Sequence, residues 1–332
     1  MSVTPPAGAA SLKPARSARQ SPARRRADRF GDVALFLVCA AAAVLAALVI
    51  VLIAKEVFEG AQPAISKFGL SFVTHSEWAP PLDHFGGKGV ILGTLITSAM
   101  ALLIGAPVAI SIGIFLALLA PSSVRNVISP LVEMLAAIPS VILGFWGLLI
   151  LGPVLVDTIE PFLHDTFGFI PLFGAPQTTG NSVFNAGLIL TIMVIPIIAS
   201  VSRDLFMAVP RELQDGAAAL GSTRWEVIRG VVLPTTLSGM TAACLLGLDR
   251  ALGEAIAVAQ VIGGSTESHL SLFKPGGTMA SLIALQFNSA VSKLHTASLY
   301  YLAALLLVIG IASNLLASWV GQRFGGAGVA TR

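Results

Sequence analysis

Six apolar runs dominate this sequence, and each is long enough to cross a bilayer, which takes about 20 residues of helix. They cover residues 33–53, 89–119, 127–156, 186–207, 231–262 and 297–320. Backbone N–H and C=O groups must be paired within each segment where water is absent, so the runs read as membrane-spanning helices. Composition agrees: only 11% of the 332 residues are charged, against roughly 25% in a soluble domain. That balance excludes an ordinary cytosolic enzyme, a disordered scaffold and a nucleic-acid module.

The expected fold is therefore an all-α membrane protein of six transmembrane helices. Residues 1–32 form a basic tail with no apolar period, read as disordered; residues 33–322 form the membrane domain; residues 323–332 form a short second tail. The first run exceeds the 7–15 residues of a signal-peptide core and follows too long a tail, so it reads as a span. With the N-terminus inside, the inner segments hold fourteen Lys and Arg and the outer segments five, and Arg250 lies within a span. This bias predicts both termini in the cytoplasm.

The outer segments, residues 58–88, 157–185 and 264–296, hold all five histidines. No His pair at metal-binding spacing and no carboxylate cluster accompanies them, so no metal or cofactor is expected. Residues 278–290 place Met279, Leu282, Ile283 and Phe287 at helical spacing, which suggests a short interfacial helix. Cys39 and Cys244 lie in apolar runs and read as small apolar residues. There is no phosphate-binding G-x-x-x-x-G-K-[ST] loop, so any ATP site belongs to another subunit.

Two stretches carry chemistry. The first joins spans four and five, from Val209 to Pro234. Pro210 suits a helix start. Gly221 suits the residue after a helix end. Ser222 or Thr223 can cap a second helix, with Glu226 completing a capping box. Two short cytoplasmic helices with a tight turn follow, and the small residues Gly216, Ala217, Ala218 and Ala219 allow close approach by a partner.

The second stretch lies inside span five: Asp249, Arg250 and Glu254. Each ionisable residue at membrane depth costs roughly 2.5–3.5 kcal/mol on insertion scales. Arg250 and Glu254, at i and i+4, share a helix face, while Asp249 is turned about 100° from Arg250. The group is either an internal salt bridge or an anion site and gate, since the guanidinium fork suits phosphate oxygens. Glu254 can accept a hydrogen bond from a protonated phosphate or hold Arg250 in its absence.

The first stretch resembles the EAA loop of ABC importer permeases. Asp215, Gly216 and Ala217 stand at its acidic-small-small positions, Gly221 at its glycine, and Val231, Leu233 and Pro234 at its end. The second resembles the R-A-[LI]-G-E pattern of phosphate-specific ABC permeases, in Arg250 to Glu254. Ala136 to Val141, containing Pro139 and Ser140, is similar to the family's A-x-I-P-S-V signature. Phe72 to Trp78, Phe85-Gly86, Gly93-Thr94 and Pro171 to Gly174 are similar to outer segments of the PstC type rather than its PstA sister. Asp249 departs from the pattern, where a small residue is usual.

The resemblance implies the type I ABC importer permease fold and a transport subunit that is not itself an enzyme. It implies a substrate path through Arg250, Glu254, Asp249 and Ser140, and coupling to the ATPase through Asp215, Gly216, Ala217, Leu220 and Gly221. The implied partners are a second permease of PstA type, two copies of a PstB-type ATPase, an extracytoplasmic PstS-type binding protein and inorganic phosphate, with no nucleic acid. The implied place is the bacterial inner membrane. Two readings compete. One is a permease for another oxyanion such as molybdate or sulfate, although sulfate carries no proton for Glu254. The other is a self-contained channel or secondary transporter, for which the EAA-like loop has no use. A membrane-embedded enzyme lacks the nucleophile–base pair or metal cluster it needs.

Overall fold

The computed structural model describes residues 22–325, with side chains placed for 31–319 and 321. The chain divides into two compact units, Met1–Ile53 and Ala54–Arg332. In the first, helix α1 (Pro22–Phe68) begins, and over residues 33–53 it exposes apolar side chains such as Val33, Phe36, Leu45 and Ile50. Residues 1–21 of the expected tail lie outside the described residues. From Pro22 the chain is helical, a correction to the expected boundary: Ala and Arg are strong helix formers, so the span's helix propagates outward through them.

The second unit holds the rest of α1 and ten further helices among the described residues. In chain order they are α2 (Ser71–Thr74), α3 (Lys88–Leu119), α4 (Ser122–Ala136), α5 (Ser140–Phe167), α6 (Val183–Met207), α7 (Arg211–Ala219), α8 (Arg224–Gly253), α9 (Ile256–Val261), α10 (Met279–Gln286) and α11 (Lys293–Gly325). A two-residue hairpin pairs Trp78 with Phe85 and Ala79 with His84. Six of the described helices, α1, α3, α5, α6, α8 and α11, are long and apolar enough to cross a membrane, as the hydropathy pattern requires.

Helix α6 is the hub. Ile189, Leu190 and Ile198 are fully buried in a core shared with Ala101 and Ala109 of α3 and Val258 of α9. Small residues let the helices approach. A Cβ on Gly105 of α3 would stand 2.7 Å from the Val194 side chain of α6. At the outer-loop end, Phe72, Phe85, Met279, Leu299 and Leu302 form a second core with Ala61 and Ala64. Thr94 Oγ1 accepts the Met279 N–H at 2.9 Å and so pins the start of α10 to α3.

Other expectations from the sequence are corrected as well. Helix α1 continues to Phe68, where a loop was expected from residue 58, because Ala61, Ala64 and Phe68 keep a helical stripe that packs into the second core. The expected span 127–156 is two helices. Pro139 disfavours helical geometry at Ile138, so the strongly amphipathic α4 ends at Ala136 and the span starts afresh at Ser140. The expected span 231–262 breaks at Glu254, whose backbone is extended (ψ 118°). The expected short helix is present as α10, under a Thr278–Ser281 capping box, but its first turn packs into the protein: Met279 is fully buried and Leu282 4% exposed, while Leu285 and Phe287 remain exposed. The helix of the last span runs to Gly325, past the expected boundary at 322, and residues 326–332 lie outside the described residues.

Candidate functional site

At the arginine-rich end of the bundle, α6 stops at Met207 and Pro210 opens α7 with extended geometry (φ −54°, ψ 134°). Gly221 then adopts φ +88°. Its N–H bonds the Ala218 carbonyl at 2.9 Å, and the Ser222 N–H bonds the Ala217 carbonyl at 3.3 Å. These are the paired bonds of a Schellman motif, which closes a helix through a left-handed residue. Thr223 caps α8: its hydroxyl oxygen accepts the Glu226 N–H, and Glu226 accepts the Thr223 N–H at 2.7 Å. The helix–turn–helix expected from the sequence is thus held at both joints by local hydrogen bonds.

The segment has two faces. Leu213, Leu220 and Trp225 point away from the bundle, 51%, 89% and 62% exposed. Arg211, Gln214, Asp215 and Ala218, one face of α7, line an inward cleft of about 830 Å³ with Arg125, Ser222 and Arg224. Among the expected coupling residues, Leu220 faces outward, Asp215 lines the cleft, and Gly216 has open space where a Cβ would stand. Arg125, in the first turn of α4, donates through Nε and Nη2 to the Leu116 and Ala117 carbonyls of α3, at 2.7 and 2.9 Å. It closes the wide last turn of that helix (Phe115–Leu119). Arg203 of α6 bonds Glu133 of α4 at 2.8 Å and Asp204 at 2.7 Å.

Helix α8 is continuous from this joint to the ionic group. One wide turn, Ile228–Val232, interrupts its regular bonding without ending it. At 1.5 Å per residue, the 26 residues between Arg224 and Arg250 span roughly 39 Å, more than a bilayer's hydrocarbon depth.

At the far end, Arg250 Nη2 lies 3.4 Å from Glu254 Oε2. The pair is asymmetric: the Arg250 side chain is 43% exposed and that of Glu254 only 6%. Glu254 stands in the break between α8 and α9 rather than one turn along a single helix, and its Oε1 accepts the Ala257 N–H at 3.2 Å. It therefore caps α9 with one oxygen and holds Arg250 with the other. At 3.4 Å the ion pair is looser than a charge-assisted bond of about 2.7–2.9 Å.

Asp249 turns away from this pair, and both of its oxygens accept the Asn314 amide of α11 at 3.2 Å. Ser140 opens α5, and no hydrogen bond among the described residues joins it to Arg250 or Glu254. One turn later, a Cβ on Gly144 would stand 2.9 Å from Ala257, so the start of α5 packs against the helix that Glu254 caps. Sequence reasoning missed Asn314, although an amide in an apolar run was the available signal. It also missed the Arg125 and Arg203 contacts, which depend on tertiary placement.

Comparison with known proteins gives three results. The family described as binding-protein-dependent transport system inner membrane component matches residues 109–326. The chain is 41% identical over 302 residues to the phosphate transport system permease protein PstC of Mesorhizobium japonicum, covering 90% of this chain and 91% of that one. It is 44% identical over 290 residues to the protein of the same name from Pasteurella multocida, covering 86% of each. Among solved structures, a bacterial ABC transporter that imports alginate aligns with TM-score 0.57 at 16% identity, covering 88% of this chain and 99% of that one. The inward-facing MetNI methionine ABC transporter aligns with TM-score 0.51 at 19% identity, over 71% of this chain and 94% of that one. At such identities the structural matches establish the fold alone.

Proposed function

The chain belongs to the binding-protein-dependent transport permeases, and among them to the PstC phosphate permeases; from that membership we propose that it forms one half of the membrane path of an ATP-driven phosphate importer. It performs no covalent chemistry. A second permease of PstA type completes the path, two copies of a PstB-type ATPase drive it, and an extracytoplasmic PstS-type protein delivers phosphate. The complex sits in the bacterial inner membrane with the arginine-rich end and both termini in the cytoplasm.

The observation that carries the reading is the continuity of α8, from the capped joint at Thr223 to the break at Glu254. An ATPase seated on the outward face of the joint, against Leu220 and the Gly216–Ala217 surface, moves a rigid lever whose other end bears Arg250. Asp215 and Gly221 act within the segment, Asp215 on its inward side and Gly221 through the turn. At the lever's far end the half-exposed guanidinium meets the anion, and the buried Glu254 retains Arg250 between transport events. The loose pair permits that exchange. Ser140 places α5 against α9 at the edge of the path, and Asp249 ties α8 to α11.

Co-purification of the chain followed by reconstitution tests this. A second permease and an ATPase in the eluate, with ATP-dependent phosphate accumulation in proteoliposomes supplied with the binding protein, are expected. Phosphate flux without ATPase or ATP would instead support a self-contained channel or secondary transporter. Preferential molybdate accumulation would move the reading to another oxyanion.

A further inference from the structure

The inward cleft of the coupling segment has no part in the path at Arg250, yet it is lined by Arg125, Arg211 and Arg224, with Gln214 and Ser222 as further polar groups and Asp215 as the one carboxylate. We propose that this cleft is a second anion site, binding a phosphate group carried by free inorganic phosphate or by a lipid headgroup.

The charge arrangement supports it. Three guanidinium groups face one carboxylate, so the lining carries net positive charge. Elsewhere at this end of the bundle, Arg203 is paired with Glu133 and Asp204. The side chains of Arg211 and Arg224 make no hydrogen bond or ion pair among the described residues, and Arg125, held by Nε and Nη2 on backbone carbonyls, keeps its Nη1 donors free there. Arg125 is thus a fixed fork, and the other two extend unpaired from α7 and α8. Guanidinium forks match phosphate oxygens, and like charges gathered on one cleft attract an anion from solution. The exposed Leu213, Leu220 and Trp225, on the outward face of the segment, are not part of the cleft's lining. An anion here bridges both coupling helices to the end of α3, so its occupancy stiffens the joint that transmits ATPase closure.

The test uses the full-length chain in nanodiscs of digalactosyldiacylglycerol, a neutral lipid with no phosphate in its headgroup, with equilibrium binding of radiolabelled inorganic phosphate. Saturable binding is expected that survives Arg250→Gln and, in that background, weakens at least tenfold on adding Arg211→Gln/Arg224→Gln. Both replaced side chains are exposed, and an unchanged thermal midpoint confirms that the variant folds; Arg224→Gln alone, expected to weaken binding severalfold, is the second variant. Nanodiscs containing anionic phosphatidylglycerol separate the sources. If a headgroup occupies the cleft, they weaken phosphate binding by the wild type at least tenfold and leave the double variant unchanged. If free phosphate does, the two lipids give equal affinity. Absence of saturable binding in neutral lipid, or binding lost in Arg250→Gln but intact in the arginine double variant, overturns the proposal. Because Arg250→Gln reports on the path and Arg211→Gln/Arg224→Gln on the cleft, failure here leaves the transport reading standing.

Discussion

Replacing Gly221 with Val should uncouple the protein while leaving it inserted. Gly221 holds φ +88°, and a left-handed conformation costs an L residue roughly 1–2 kcal/mol, with a β-branched side chain at the upper end. If the residue escapes that strain, the two Schellman bonds from Gly221 and Ser222 go, at about 1 kcal/mol each. By either route the joint loses about 2 kcal/mol, a shift of roughly thirtyfold in its local equilibrium. None of this comes from tertiary packing, because a Cβ at 221 meets nothing beyond its own local backbone. The cost lies in the backbone, and Asn, which tolerates the left-handed region, should be spared most of it. The assay is phosphate uptake per inserted chain, with ATPase retention on purification alongside. Gly221→Val should insert normally, lose the ATPase and retain less than a tenth of uptake; Gly221→Asn should retain more than half. Wild-type uptake in the Val variant refutes the reasoning. Equal loss in Asn and Val would place the cause in the side chain rather than in φ.

Other outcomes follow from the same geometry. Asp249→Asn should transport better than Glu254→Gln, because Asp249 faces Asn314 on α11 while Glu254 holds Arg250; the reverse order in an uptake assay would put Asp249 in the path. A cysteine near His164 should react with an impermeant thiol reagent from outside and one near Arg211 should not, and the opposite pattern would invert the topology. Gly93→Ala should abolish accumulation of folded chain, as its Cβ would be driven into the Gly277 carbonyl, an overpacking penalty of about 3 kcal/mol; normal levels on a membrane immunoblot would contradict that packing.

What the sequence made legible follows from how local each signal is. Pro210, Gly221, Thr223 and Glu226 act on neighbours a few residues away, so the coupling joint was readable down to its caps. Hydropathy placed all six spans for the same reason: lipid imposes a length and a polarity on each run separately. The boundaries failed where tertiary contact decided. Residues 58–68 are polar enough to read as loop, yet Ala61, Ala64 and Phe68 earn burial against the second core. The break at Glu254 was hidden because an apolar run continues through it to Ile262; the extended backbone there and the bond from the Ala257 N–H to Glu254 show that the run is two helices. Asp249 could be assigned no partner until α11 brought Asn314 beside it, 65 residues along the chain.

The central claim is that α8 delivers coupling to an ionic group that handles the anion, rather than to a structural salt bridge. Phosphate uptake by the Arg250→Leu/Glu254→Leu variant, measured with its assembly and ATP hydrolysis, tests it most directly. Removing both partners leaves no unpaired charge, and the remaining cost, the lost acceptor for the Ala257 N–H, is about 1 kcal/mol, so the fold should tolerate the change. The expected result is an assembled complex that still hydrolyses ATP and takes up no phosphate, with Arg250→Lys, which keeps the charge but not the fork, also strongly impaired. Wild-type uptake in the double variant would reduce Arg250 and Glu254 to a structural bridge and contradict the account.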